Sequence, residues 1–187
     1  MKKIIIIHRW EGKPKSDWYP WLKSELESKG YEVVTHKMPN TEEPEIEAWV
    51  SELFKICPNP DKNTYFIGHS IGCQTILRYL ERLPKWSSVG DVILVAPWTK
   101  LKPIIKKEER AEKIAEPWIK TPIKWDYVKS KANKFTAIFS TNDYYVYSDE
   151  KKLFKQSLNA DTMLIKNKGH FTDEDKVTKL PELLKLL

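Results

Sequence analysis

Ser70 stands between Gly68 and Gly72 in the stretch YFIGHSIGCQT, directly after an apolar run. Gly-x-Ser-x-Gly between a strand and a helix puts the serine on a sharp, strained turn, and only small neighbours let strand and helix pass so closely. The chain has 6 glycines in 187 residues, so two of them beside one serine are a local concentration. A helix beginning at residue 71 would aim free amides and its positive dipole end at the serine oxygen. The amide of Ile71 is therefore the first candidate donor to an oxyanion forming there. The chemistry within reach is nucleophilic attack on a carbonyl.

A serine hydroxyl needs a base to take its proton, and that base needs an acid to orient it. Four histidines are available: His8, His36, His69 and His170. His170, in NKGHFTDED, follows a predicted strand and falls on a loop at the sheet's carboxyl edge. His69 adjoins the serine, but adjacent side chains diverge on a turn, and His8 reads as a structural hydrogen-bonder. Asp143, in FSTNDYYV, stands just past another predicted strand. The chain order Ser70, Asp143, His170 is the one expected after a strand-elbow-helix unit. Each alone has a plain structural reading, a turn cap for Asp143 and a surface residue for His170; order and placement together favour a triad. A second oxyanion amide should come from the loop after the first strand, at Arg9 or Trp10. Cys73, one turn into the helix after Ser70, reads as a small buried hydrophobe.

These residues need a frame. Apolar strand-like runs at 3–7, 31–35, 64–67, 91–96, 135–140 and 162–166 alternate with helical patterns at 17–30, 44–56, 71–83, 148–158 and 176–187. Such alternation predicts an α/β fold, a mostly parallel six-stranded sheet with helices on both faces. The expected strand order is 2-1-3-4-5-6, in one domain spanning residues 1–187. Residues 97–132 break the rhythm with several prolines and are expected as an irregular excursion holding one short helix near 107–115. Trp10, Trp98, Trp118 and Tyr144 fall on loops expected at the site edge, where they would line an aromatic pocket suited to short acyl or aromatic groups. Trp18, Trp21 and Trp49 read as core.

Composition removes other classes. The formal charge of +6 is spread among acids, as in KKEERAEK, so no nucleic-acid surface is expected. No apolar run approaches the roughly 18 residues of a membrane span. MKKIIIIHRW lacks the long apolar core and cleavage site of a signal peptide, so a cytoplasmic protein is expected. Cys57 and Cys73 have no metal-binding or redox spacing. Neither a metal nor a cofactor is called for.

The sequence resembles the small single-domain α/β-hydrolases related to retinoblastoma-binding protein 9, over nearly its whole length. The resemblance is carried by IIHRWEGKPKSDWYPWL, GHSIGCQTILRYL, LVAP, YVKSKANKF, STNDYYV and the Gly169-His170 pair. It implies a minimal α/β-hydrolase fold and a serine hydrolase acting on small esters or amides, with nucleophile, acid and base at Ser70, Asp143 and His170. Two positions depart from the family. Arg9 stands where a glycine commonly follows the first histidine, and it would bind an acidic substrate group or pair with a surface carboxylate and do nothing else. Tyr144 replaces an expected proline and would reshape the pocket mouth. The Arg9 change and the aromatic excursion also motivate a rival reading, a hydrolase fold that works mainly by binding a protein partner.

Overall fold

Ile4, Ile5, Ile6 and Ile7 are all buried, as a strand allows only when both faces of its sheet are covered. They form β1 (Lys3–Ile7) in the computed structural model of the chain, which describes residues 2–107 and 109–187. The next elements are α1 (Tyr19–Ser28), β2 (Glu32–Thr35), α2 (Ile46–Ile56), β3 (Thr64–His69), α3 (Ile71–Arg82) and β4 (Val89–Val95). They are followed by α4 (Glu109–Lys120), α5 (Trp125–Lys129), β5 (Ala132–Ser140), α6 (Glu150–Leu158) and β6 (Asp161–Ile165). The described strands make one sheet ordered β2-β1-β3-β4-β5-β6, with every neighbouring pair parallel. That is the order expected from the sequence.

The chain changes direction across the sheet after β2, so right-handed crossovers put α1 on one face and α2, α3 and α6 on the other. The reversal leaves β1 beside β3, where open parallel sheets have a crevice at their carboxyl ends. Ile7 pairs with Gly68 there. A Cβ on Gly72 would lie 2.3 Å from the carbonyl oxygen of Ile7, so only glycine lets α3 start against the end of β1.

Three local expectations need correction. The helix expected to open at Asp17 starts at Tyr19, because Asp17 is in the left-handed region (φ 55°) and its side chain is engaged elsewhere. The helix expected near 107–115, of which Glu108 lies outside the described residues, is instead a 3-10 helix (Pro103–Lys107) followed by the 12-residue α4. Arg78, buried in α3, closes α4 by donating Nη2 to the carbonyls of Trp118 and Thr121, each at 2.9 Å. No α-helix forms over 176–187. Leu180 and Leu183 are buried with helix-like spacing, but Pro181 is tolerated only in a first turn. The stretch beyond that proline is too short to sustain more than a 3-10 helix (Pro181–Lys185). Among the described residues no helix is long and apolar enough to cross a membrane.

Candidate active site

β3 runs straight into α3 with Ser70 between them, at φ 54° and ψ −117°. A non-glycine residue there is strained and persists only where its surroundings over-determine it. Two constraints do so. The Ser70 amide donates to the carbonyl of Val95 at 2.8 Å, carrying the β3–β4 ladder one residue past the strand. A Cβ on Gly68 would lie 2.7 Å from the amide of Cys73, so the helix packs directly on the strand it leaves. Ile71 is the first residue of α3, and its amide has no carbonyl one turn back to meet. The Cys73 thiol is fully buried with its pKa pushed up by that burial, which removes it as a nucleophile.

Asp143 and His170 come from the loops after β5 and β6. The Nδ1 of His170 lies 2.9 Å from Oδ2 of Asp143, and the other carboxylate oxygen accepts the amides of Tyr145 (2.8 Å) and Val146 (2.9 Å). Both side chains are buried. The aspartate can therefore hold one face of the imidazole while leaving Nε2 free for the cavity. The two loops are laced together by short polar side chains. Asn142 Oδ1 accepts the amide of Gly169 at 2.9 Å, Ser140 Oγ that of Lys168 at 3.0 Å, and Thr141 Oγ1 that of Asn167 at 3.1 Å. Nothing in the sequence marks these lacing residues for that task, although Ser140, Thr141 and Asn142 open the STNDYYV stretch.

A directed chain of hydrogen bonds connects the first loop to His170. The amide of Arg9 donates to Tyr19 Oη at 3.1 Å, and Tyr19 Oη lies 2.6 Å from Nδ1 of His69. His69 Nε2 lies 2.7 Å from the carbonyl oxygen of His170. A carbonyl only accepts, so Nε2 carries the His69 proton, Nδ1 accepts, and the Tyr19 hydroxyl must donate. Burial above all, with the nearby His170, holds the His69 pKa well below its ordinary value. His69 is a neutral strut, not a base. His8 is equally structural: Nδ1 donates to the Arg9 carbonyl at 2.7 Å and Nε2 accepts the Met38 amide at 3.0 Å.

This chain corrects the expectation for Arg9. Its amide is taken up by Tyr19 Oη, whereas the amide of Trp10 has no hydrogen-bond partner among the described residues. Its guanidinium does not wait for an acidic substrate either. Nε and Nη2 reach the two oxygens of Asp17 at 2.9 and 3.3 Å, and Nη2 lies 3.8 Å from Asp173. The Asp17 side chain is fully buried.

Ser70 and His170 open onto one cavity of about 380 Å³. Arg9, Trp10, Trp98 and Tyr144 line it, joined by Leu101, Ile104 and Ile105 from the excursion. Trp118 does not. It lies two helical turns, about 10 Å, along α4 from Ala111, the helix residue that reaches the cavity. Its buried indole donates to the carbonyl of Pro44 at 2.9 Å and meets Trp49 edge-on. Trp98 Nε1 donates to Ser70 Oγ at 3.3 Å, and among the described residues no hydrogen bond joins that oxygen to His170.

A family model described as serine hydrolase matches residues 4–187. The chain belongs to the serine hydrolase family. Among the relatives of this serine hydrolase, the Bacillus subtilis protein YdeN, named as a hydrolase, is 30% identical over 182 residues, covering 96% of this chain and 91% of YdeN. The rat serine hydrolase RBBP9 is 25% identical over 172 residues, covering 91% of this chain and 84% of its own. The crystal structure of the B. subtilis ydeN product superposes with a TM-score of 0.89 at 27% identity, covering 100% of this chain and 96% of that one. Est1E from Butyrivibrio proteoclasticus, solved with ferulic acid bound, gives a TM-score of 0.73 at 14% identity over 100% and 90% of the two chains. That likeness is one of fold alone, and the fold is the α/β-hydrolase fold.

Proposed function

We propose that this serine hydrolase cleaves small esters, thioesters or amides by acyl transfer through Ser70, with His170 as base and Asp143 as orienting acid. The observation that carries the reading is the pairing of His170 with Asp143 at 2.9 Å on the wall of the cavity into which the strained Ser70 projects. His170 Nε2 takes the hydroxyl proton as Oγ attacks the carbonyl carbon. The amides of Ile71 and Trp10 receive the oxyanion, and the protonated imidazole then gives its proton to the leaving group. Water, deprotonated by the same base, releases the acid. Leu101, Ile104, Ile105 and Trp98 make the acyl side of the cavity apolar, which suits short or aromatic acyl groups.

The test is labelling with a fluorophosphonate probe followed by turnover of a panel of small esters, thioesters and aminoacyl amides. Ser70→Ala should abolish labelling and lower ester turnover by about 10⁴-fold or more. A folded parent chain that resists the probe would favour the rival reading, a hydrolase fold acting as a binder of a protein partner.

A further inference from the structure

A second cavity, of about 770 Å³, opens between the start of α2, the α3 helix and the end of α4. No described residue lines both it and the cavity at Ser70. Arg78 reaches its wall with 2% of the residue exposed. Closing α4 occupies Nη2 alone, through the carbonyls of Trp118 and Thr121. A guanidinium has N–H donors on all three nitrogens. Nε is buried without a hydrogen-bond partner, and among the described residues nothing accepts from Nη1. The charge is unmatched as well. Among the described residues no carboxylate forms an ion pair with Arg78: Glu47 pairs with Arg82 and Glu43 with Arg110, while Glu81 Oε1 accepts the amide of Lys124 at 2.8 Å. Burial, which Glu81 offsets only in part, lowers the Arg78 pKa. The carboxyl end of α4 and the Trp118 ring, 6.0 Å from Cζ, compensate some of that charge. A buried cation is otherwise met by an anion. The cavity has a second feature of the same sign. Glu45, Ile46 and Glu47, the cap residue and first helical residues of α2, line it, and no side chain caps the amides there. A helix start offers free N–H groups and about half a positive charge.

We propose that this cavity is a second ligand site, taking a small monocarboxylate with an apolar body whose carboxylate is held by Arg78 and the start of α2. The body lies against Ile46, Ile114, Pro117 and Trp118. Glu43, Glu45, Glu47 and Glu81 also line the walls. A singly charged group is therefore accepted where a dianion such as phosphate meets about twice the repulsion. The site is defined by binding alone and does not depend on the reading of Ser70.

Titration of isotope-labelled protein with phenylbutyrate, followed by NMR, reads binding residue by residue, including the buried Nε–H of Arg78. An acid of that size should bind with a Kd of about 1 mM. It should shift the amides of the first turn of α2, Arg78 and Ile114. Phenylbutyramide, its neutral counterpart, and inorganic phosphate should each bind about tenfold more weakly or worse. Arg78→Gln should weaken the acid by about ten- to a hundredfold. Ile114→Glu leaves Arg78 and its two carbonyl bonds in place and adds a negative charge to the wall. It should weaken binding by about tenfold, and it keeps the test decisive if the glutamine variant does not fold. Shifts confined to residues around Ser70 and His170 would overturn the proposal, since the acid would then occupy the first cavity. Equal binding of the amide or of phosphate, or a Kd unmoved by Ile114→Glu, would overturn it too. So would the absence of any shift at about ten times the expected Kd.

Discussion

Oδ2 of Asp175 accepts the backbone amide of His170 at 2.7 Å, gripping that histidine from five residues further along the chain. The same oxygen accepts the Thr172 hydroxyl at 2.8 Å and lies 3.4 Å from Tyr144 Oη. The carboxylate also fills the space a side chain at residue 169 would need: a Cβ on Gly169 would lie 1.9 Å from Asp175 Oδ1, at a φ of +53°. Asp143 orients the imidazole ring, and Asp175 holds the backbone that bears it.

Asp175→Ala should therefore lower kcat without a matching change in KM. A base displaced by about an ångström can cost up to about a hundredfold. Unpairing the buried amide should also remove about 2 kcal/mol of stability. Asp175→Asn keeps an acceptor oxygen and should restore most of both losses. Ester kinetics beside urea unfolding check this, and a change confined to KM would contradict a positioning role.

Much of this site was legible in the sequence, and the reason is periodicity. Isoleucines in a row, alternation of strand and helix, and a glycine-fenced serine all act through near neighbours in the chain, so the strands and their parallel arrangement could be read from spacing, whereas the strand order is what the α/β-hydrolase resemblance implies. Asp143 and His170 were marked by standing just past strands, where parallel sheets gather chemistry. The supports were not legible. Tyr19 lies 50 residues from His69, and Asn142 lies 27 from Gly169; neither pairing leaves a local pattern. Trp98 and Trp118 look alike in sequence, each beside a proline in the same irregular segment. The turn after β4 aims one at Ser70, and α4 carries the other to Pro44. The terminal leucines carry a helical pattern, and Pro181 overrides it.

The Arg9–Asp17 pair predicts a substitution phenotype that differs from a substrate-binding one. Asp17 is fully buried and Arg9 has 17% of its side chain exposed. Removing the acid strands a largely buried guanidinium beside the first loop, while removing the arginine strands a buried carboxylate. Asp17→Asn should cost about 3 kcal/mol, and Arg9→Met combined with Asp17→Leu should cost less than either change alone. Neither single variant should discriminate between acidic and neutral esters in KM. Urea denaturation of the singles and the double closes the cycle, and strictly additive losses would show that the two side chains act independently.

The buried histidines set the acid limit of the fold. Burial, outweighing the bond to the Arg9 carbonyl, pushes the His8 pKa down from 6.5 to about 4, and His69 is pushed down further in kind by its own burial. In the unfolded chain both take up a proton near pH 6.5. Between that pH and about 4 the unfolded state thus holds more protons than the folded one, so stability rises with pH and is lost as pH falls. His8 alone should contribute a loss of roughly 3 kcal/mol across that window. Together the pair should give a slope approaching two protons, about 2.7 kcal/mol per pH unit. Ordinary carboxylates titrate lower, so the interval from pH 6.5 to 5 reports the histidines. Urea midpoints measured at half-unit steps should fall steadily through it, and a flat profile there would mean that the two rings accept protons without unfolding.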